Sequence, residues 1–187
     1  MTMPEPTLVD EILDSARGEV EVRLSEPHRQ SLHTLTLARA GVLRHSRAPG
    51  TAEETAVHPT SALPGVLLRL AAIAPLGAAP EGSSLDALSS SIEQLFSEDP
   101  TTHERAWGYL LESATVLPPV SDPALEAAPP RAVQLVRRRV DGDRRAVLLQ
   151  VRGRYLIVSE EGSGRFIGAD PTDAAREVLR PLLTVRG

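Results

Sequence analysis

The chain is 187 residues long, carries a formal net charge of −5 and is 41% hydrophobic, a size and apolar content that fit one hydrophobic core. It has no cysteine, which excludes disulfides, thiolate nucleophiles and cysteine-held metal centres, and its 3% aromatic content leaves few platforms for stacking bases or sugars. All 20 basic residues are arginine, so a Schiff-base or P-loop lysine is excluded as well.

The start, Met1-Thr-Met-Pro-Glu-Pro6, lacks the basic and apolar regions of a secretory signal, and a cytoplasmic location is expected. Thr7 and Asp10 mark a short helix with Leu8, Ile12 and Ala16 on one face, ended by Gly18. Residues 19–24 alternate Val20, Val22 and Leu24 with Glu19, Glu21 and Arg23, the pattern of a half-buried strand. Ser25 as cap and Pro27 in the first turn predict a second helix through Leu32 and Leu35 to Gly41, followed by a turn to Val42 and Leu43. Residues 46–55 are polar, contain Pro49-Gly50 and predict a mobile loop, after which Val57 begins a brief strand.

Over 61–73, Leu63, Leu67, Leu70 and Ile73 recur at helical spacing, with Val66 and Leu68 widening the stripe. Arg69, Pro64 and Pro75 inside the apolar stretch 62–80 argue for a buried helix and against a membrane span. Residues 74–83 read as a connector. Ser84 leads a predicted helix carrying Leu85, Leu88, Ile92, Leu95 and Phe96. Thr101 and Glu104 form a capping box ahead of Ala106, Trp107, Leu110 and Leu111. These two helices are expected to form an antiparallel hairpin.

The segment 117–130 holds five prolines and reads as a semi-rigid link. It divides the single expected domain, 1–187, into a mainly helical sub-lobe over 1–116 and a sheet-plus-helix sub-lobe over 131–187. No internal sequence repeat is evident. Beyond the link, 132–140, 146–152, 155–159 and 165–167 are strand-like runs separated by turn residues, an antiparallel meander with 146–151 in the middle of the sheet. Asp170 caps a final helix with Pro171 at its first position. The fold class is therefore α+β: an antiparallel meander packed by a C-terminal helix, an N-terminal helix-strand-helix segment and a central helical hairpin.

Sequence motifs for catalysis are lacking. His28, His33, His45, His58 and His103 include no pair at the i, i+4 spacing of helical metal ligands, and neither a metal nor a cofactor is expected. No Gly-x-Ser-x-Gly elbow is present, Gly162-Ser-Gly164 lies in a hairpin turn, and Glu160-Glu161 are solvated turn residues. No catalytic residue is assigned, and the chain is not expected to be an enzyme.

Charge is unevenly distributed, since 131–167 carries nine arginines against four carboxylates, about +5 within a chain of −5. Arg137-Arg-Arg139, Arg144-Arg145, Arg152 and Arg154 either form an anion-binding face or pair across strands with Glu19, Glu21, Asp141 and Asp143; the pairing is favoured. Overall acidity and scarce aromatics disfavour nucleic acid. Leu85, Leu88, Ile92, Leu95 and Phe96 are read chiefly as core, with a groove for a partner helix as the alternative. The candidate partner contacts are thus Arg137, Arg139, Arg152, Arg154, Leu88, Ile92 and Leu95.

The run Ala146-Val-Leu-Leu-Gln-Val-Arg-Gly-Arg-Tyr-Leu-Ile-Val158, followed by Arg165-Phe-Ile-Gly-Ala-Asp-Pro171 and a Leu-rich helix, resembles the end of ESX (type VII) secretion-associated proteins of the EspG type. Ala40-Gly41-Val-Leu43 and Val57-His-Pro59 before a Leu/Ala helix are similar to that family's first half, and all-arginine basicity suits its actinobacterial hosts. The resemblance implies a cytosolic chaperone whose α+β fold grips the apolar tip of a helical secretion substrate. In that case loop 46–55 and the helix pair are candidates for substrate contact. The alternative is a regulator that binds nucleic acid or an anionic ligand through the arginine-rich sheet.

Overall fold

A computed structural model describes residues 6–74, 76–87, 89–139, 142–159 and 164–183. Helix α1 (Pro6–Asp14) turns into β1 (Ala16–Glu26), whose predicted alternation is realised with Val20 and Val22 on one face and Glu19, Glu21 and Arg23 on the other. The expected helix over residues 25–41 is instead strand β2 (Arg29–Ala38), joined to β1 by a two-residue turn in which Glu26 faces Arg29. Leu32 and Leu35 suggested a helical stripe. However, Leu35 and Leu37 also alternate with Thr34 and Thr36, and β-branched threonines in a period-two run favour the pleated surface. Pro27 serves as a turn residue there, and Ser25 is a strand residue.

The chain continues through β3 (Val42–Arg47), β4 (Glu54–His58) and, after a 3₁₀ turn, α2 (Leu63–Leu70). Helix α2 stops three residues short of Ile73. Ala72 takes a left-handed φ of 50°, and Ile73 N–H donates back to the Leu68 carbonyl, the pattern that closes a helix C-terminus. Residues 84–86 do not start a helix. They form the short strand β5 (Ser84–Asp86) against β9, and the helix is confined to α3 (Ser89–Gln94). Helix α4 (Pro100–Ser113) is capped by Asp99, whose carboxylate accepts from Thr102 N–H, rather than by Thr101. The proline-rich link contains α5 (Pro123–Glu126), capped by Asp122.

Strands β6 (Arg131–Arg138), β7 (Arg144–Val151), β8 (Arg154–Val158) and β9 (Arg165–Ala169) form the expected meander, and α6 (Pro171–Leu179) follows with Asp170 as its cap. The nine strands of the described residues form one antiparallel sheet in the order β4-β3-β2-β1-β6-β7-β8-β9-β5. Residues 1–116, expected to be mainly helical, supply five of these strands, and β1 pairs directly with β6 across the expected sub-lobe boundary.

Helices cover both sides of the sheet. On one face Val20, Val22, Leu35, Val42, Val133, Leu135 and Leu148 pack against Leu63, Val66 and Leu67 of α2 and Ala174 and Val178 of α6. On the other, α3 and α4 bury Leu95, Trp107 and Leu110 on Leu149, Val151, Leu156 and Phe166, while α1 places Ile12 on Ala38 and Leu43. Each fully buried aliphatic side chain contributes roughly 1.5–3 kcal/mol, so these layers supply most of what holds the sheet together.

The sheet is a duplicated unit. Val22 faces His33 as Leu135 faces Ala146, and Leu35 faces Arg44 as Leu148 faces Ile157, so the pairing register of β1–β3 recurs 113 residues later in β6–β8. The repeat is one of register, and of burial on the face under α2 and α6, where Val20, Val22, Leu35 and Val42 answer to Val133, Leu135, Leu148 and Tyr155.

Candidate binding cleft

The arginine-rich strands are largely paired within the molecule. Arg138 reaches Glu21 at 2.7 Å, Asp143 at 3.5 Å and Glu19 at 3.8 Å, the cross-strand pairing favoured from sequence; Asp141 lies outside the described residues. Burial raises the Glu21 pKa, but the hydrogen bond and charge of Arg138, with Arg23, outweigh it and hold the carboxyl below its ordinary value. Arg137 donates to the Leu182 carbonyl at 2.9 Å and Arg144 to that of Leu183 at 2.7 Å, while Arg139 is half-buried and engaged.

Arg152 and Arg154 clasp the proline-rich segment. Arg152 Nε donates to Glu126 at 2.5 Å, and its Nη1 donates to the carbonyls of Ala114, Thr115 and Leu117 at 3.0–3.1 Å, groups left over where α4 ends. Arg154 is fully buried; it donates to Ser83 Oγ at 3.1 Å and to the other Glu126 oxygen at 3.4 Å. The Val120 N–H, before the opposing effect of burial and then the help of Arg152, holds the Glu126 pKa down. Of the apolar candidates, Ile92 and Leu95 are buried among Leu85, Phe96 and Trp107, and Leu88 lies outside the described residues.

A serine and a histidine meet where no motif announced them. Ser25 Oγ lies 3.0 Å from His103 Nε2, and Trp107 Nε1 donates to both, at 2.9 and 3.1 Å. Ser25 is fully buried, and its hydroxyl donates to the Leu95 carbonyl at 2.5 Å. The hydroxyl is thus held by backbone, so the cluster braces β1 to α3 and α4. Burial lowers the His103 pKa, against a hydrogen bond to the Glu26 backbone, which keeps the ring neutral and able to accept from Trp107. Among the described residues no three His, Asp or Glu side chains group as a metal site.

Two clefts open at the end of the sheet where the β1–β2 turn and the β3–β4 loop meet. The larger, about 630 Å³, lies between them and the turn joining α3 to α4. Leu32, Phe96 and Pro100 give it apolar walls, and His28, Arg29 and Glu98 lie among its polar lining. The smaller, about 380 Å³, lies under the end of α2 against Ser31, His33 and Ser46, with Arg29 and Arg69 beside it. The expected loop 46–55 contributes to both, although its ends belong to β3 and β4.

Sequence reasoning passed over Arg29, Leu32 and Arg69. For Arg69 a signal existed: in a helix, pairing partners stand three or four residues away, and Gly65, Val66, Ala72 and Ile73 offer no carboxylate. For Leu32 the mistaken helix hid which face it occupies. The chain matches no known family model and no curated protein.

Proposed function

We propose that the chain is a non-catalytic protein-binding module that receives an α-helical partner in the larger cleft, in the manner of an ESX secretion chaperone. The observation that carries this is the cleft itself. One helical turn about 10 Å wide, rising 5.4 Å, occupies roughly 400 Å³. A space of about 630 Å³ with apolar walls at Leu32, Phe96 and Pro100 accommodates a short apolar helix tip. Arg23, Arg29, Arg47, Glu53 and Glu98 are among its lining residues, and charges of both signs at a rim set orientation more than affinity. The resemblance of 146–171 to secretion-associated chaperones supports the same reading.

The alternative, an anionic ligand on the arginine-rich sheet, draws less support, because Arg138, Arg152 and Arg154 already have carboxylate partners. Photo-crosslinkers at Leu32 and at Thr36 of the same strand, in the native host, test the proposal. A helical secreted partner captured from position 32 and not from 36, and lost in Leu32→Glu, is the expected result. Equal capture at both positions, or none, would refute it.

A further inference from the structure

The duplication exposes a difference between the halves. Beyond the strands the correspondence continues with a step of 111, because the β8–β9 connection is two residues shorter than its counterpart. Leu63, Val66 and Leu67 of α2 are then buried where Ala174, Glu177 and Val178 of α6 are buried, and Arg69 falls on Arg180. Arg180 is neutralised: it pairs with Glu177 at 3.0 and 2.9 Å and donates to the Arg145 carbonyl at 2.8 Å. At the position of Glu177, α2 has Val66, and the Arg69 guanidinium has no hydrogen-bond or ion-pair partner among the described residues.

The space beyond each helix differs in the same sense. Beyond α6, Arg137 and Arg144 reach over the carbonyls of Pro181, Leu182 and Leu183. Their counterparts beyond α2 are Leu24 and Ser31, too short or too apolar to do so, and the 380 Å³ cleft opens there. Arg29 enters it from the β1–β2 turn, also without a partner among the described residues. The two lining carboxylates are committed elsewhere, Glu26 to Arg131 at 2.6 Å and Glu54 to Arg44 at 2.5 Å. Near the cleft His58 is pushed down by burial and then by Arg44 and Arg69, and His33 by burial and then by Arg44, the direction expected in a cationic field.

We propose that this cleft binds the phosphate group of a small molecule, held by Arg29 and Arg69. A phosphate monoester offers three oxygens and close to two negative charges to two guanidinium forks, against two oxygens and a single charge for a carboxylate. The cleft is larger than a phosphate alone, which leaves room for the group that carries it, against Ser31, Ser46 and Thr51.

Calorimetric titration with inorganic phosphate and with glycerol 3-phosphate tests this at constant ionic strength, with succinate as the carboxylate control. Saturable binding of both phosphates is expected. It should weaken at least tenfold in Arg69→Ala and in Arg29→Ala, and stay unchanged in Arg138→Ala. Both arginines are exposed, so folding is preserved, and Arg69→Gln repeats the test with side-chain bulk kept. No saturation, equal binding in the variants, or succinate binding as tight as phosphate each overturns the proposal. Arg69 does not line the larger cleft, so crosslinking through Leu32 in Arg69→Ala separates this proposal from the partner-binding one.

Discussion

At Arg152-Gly153, two residues turn the chain with positive φ, 48° and 74°, as a tight hairpin between right-twisted strands requires. A Cβ on Gly153 would stand 2.7 Å from the Leu125 carbonyl carbon and 2.8 Å from its oxygen, so backbone would have to move. Gly153→Ala therefore combines a left-handed penalty with overpacking against α5, and a loss of about 3 kcal/mol in urea unfolding is expected. Glu126 is the second sensitive point of the same clasp. Removing it leaves Arg154 charged, fully buried and without its carboxylate. Glu126→Ala should cost about 3 kcal/mol by the same measurement, whereas an exposed pair such as Arg145 with Glu93 should cost less than about 1 kcal/mol to break.

At the scale of elements, α3 and α4 are held to the sheet by apolar burial and by the Ser25, His103 and Trp107 brace. The brace depends on a neutral imidazole, since a protonated Nε2 would direct an N–H at the indole N–H it now accepts from. The His103 pKa is lowered in the folded state, as are those of His33 and His58, so near pH 6.5 the unfolded chain binds more protons than the folded one. Stability is then fully present above about pH 6.5 and declines as pH falls from there toward the folded pKa values. Thermal unfolding should show a lower midpoint at pH 5.5 than at 7.5, with a smaller drop in His103→Gln. The lowered Glu21, Glu126 and Asp99 titrate in a separate window below about pH 4.5 and do not confuse the test. Strand β2 is the element where sequence misled. Its leucines fit both periods, and the choice was made by pairing with β1 on one side and β3 on the other.

For the whole molecule, β1 and β6 join two meanders into one sheet, and α2 and α6 pack together over the seam. The proline-rich segment is clamped by Arg152 and Arg154 and does not act as a hinge. Unfolding should therefore be a single cooperative transition, with coincident curves from Trp107 fluorescence and far-ultraviolet circular dichroism. Amides of β1 and β6 should be the slowest to exchange. Two separated transitions would show that the halves are independent.

What the sequence determined by itself is what ten neighbouring residues can encode: the alternation of β1, the strands β6–β9, the Asp170-Pro171 start of α6, and the exclusion of cysteine and lysine chemistry. Tertiary structure alone decided that 29–38 is a strand, that Ser25 meets His103 and Trp107, and that Arg29 and Arg69 line one cleft. It also decided that the halves repeat, because the repeat lies in register and in the burial of one face, and their side chains differ. Periodicity and caps are local and readable. Contacts between residues some 70 to 117 positions apart exist only once the sheet has closed, and no local pattern carries them.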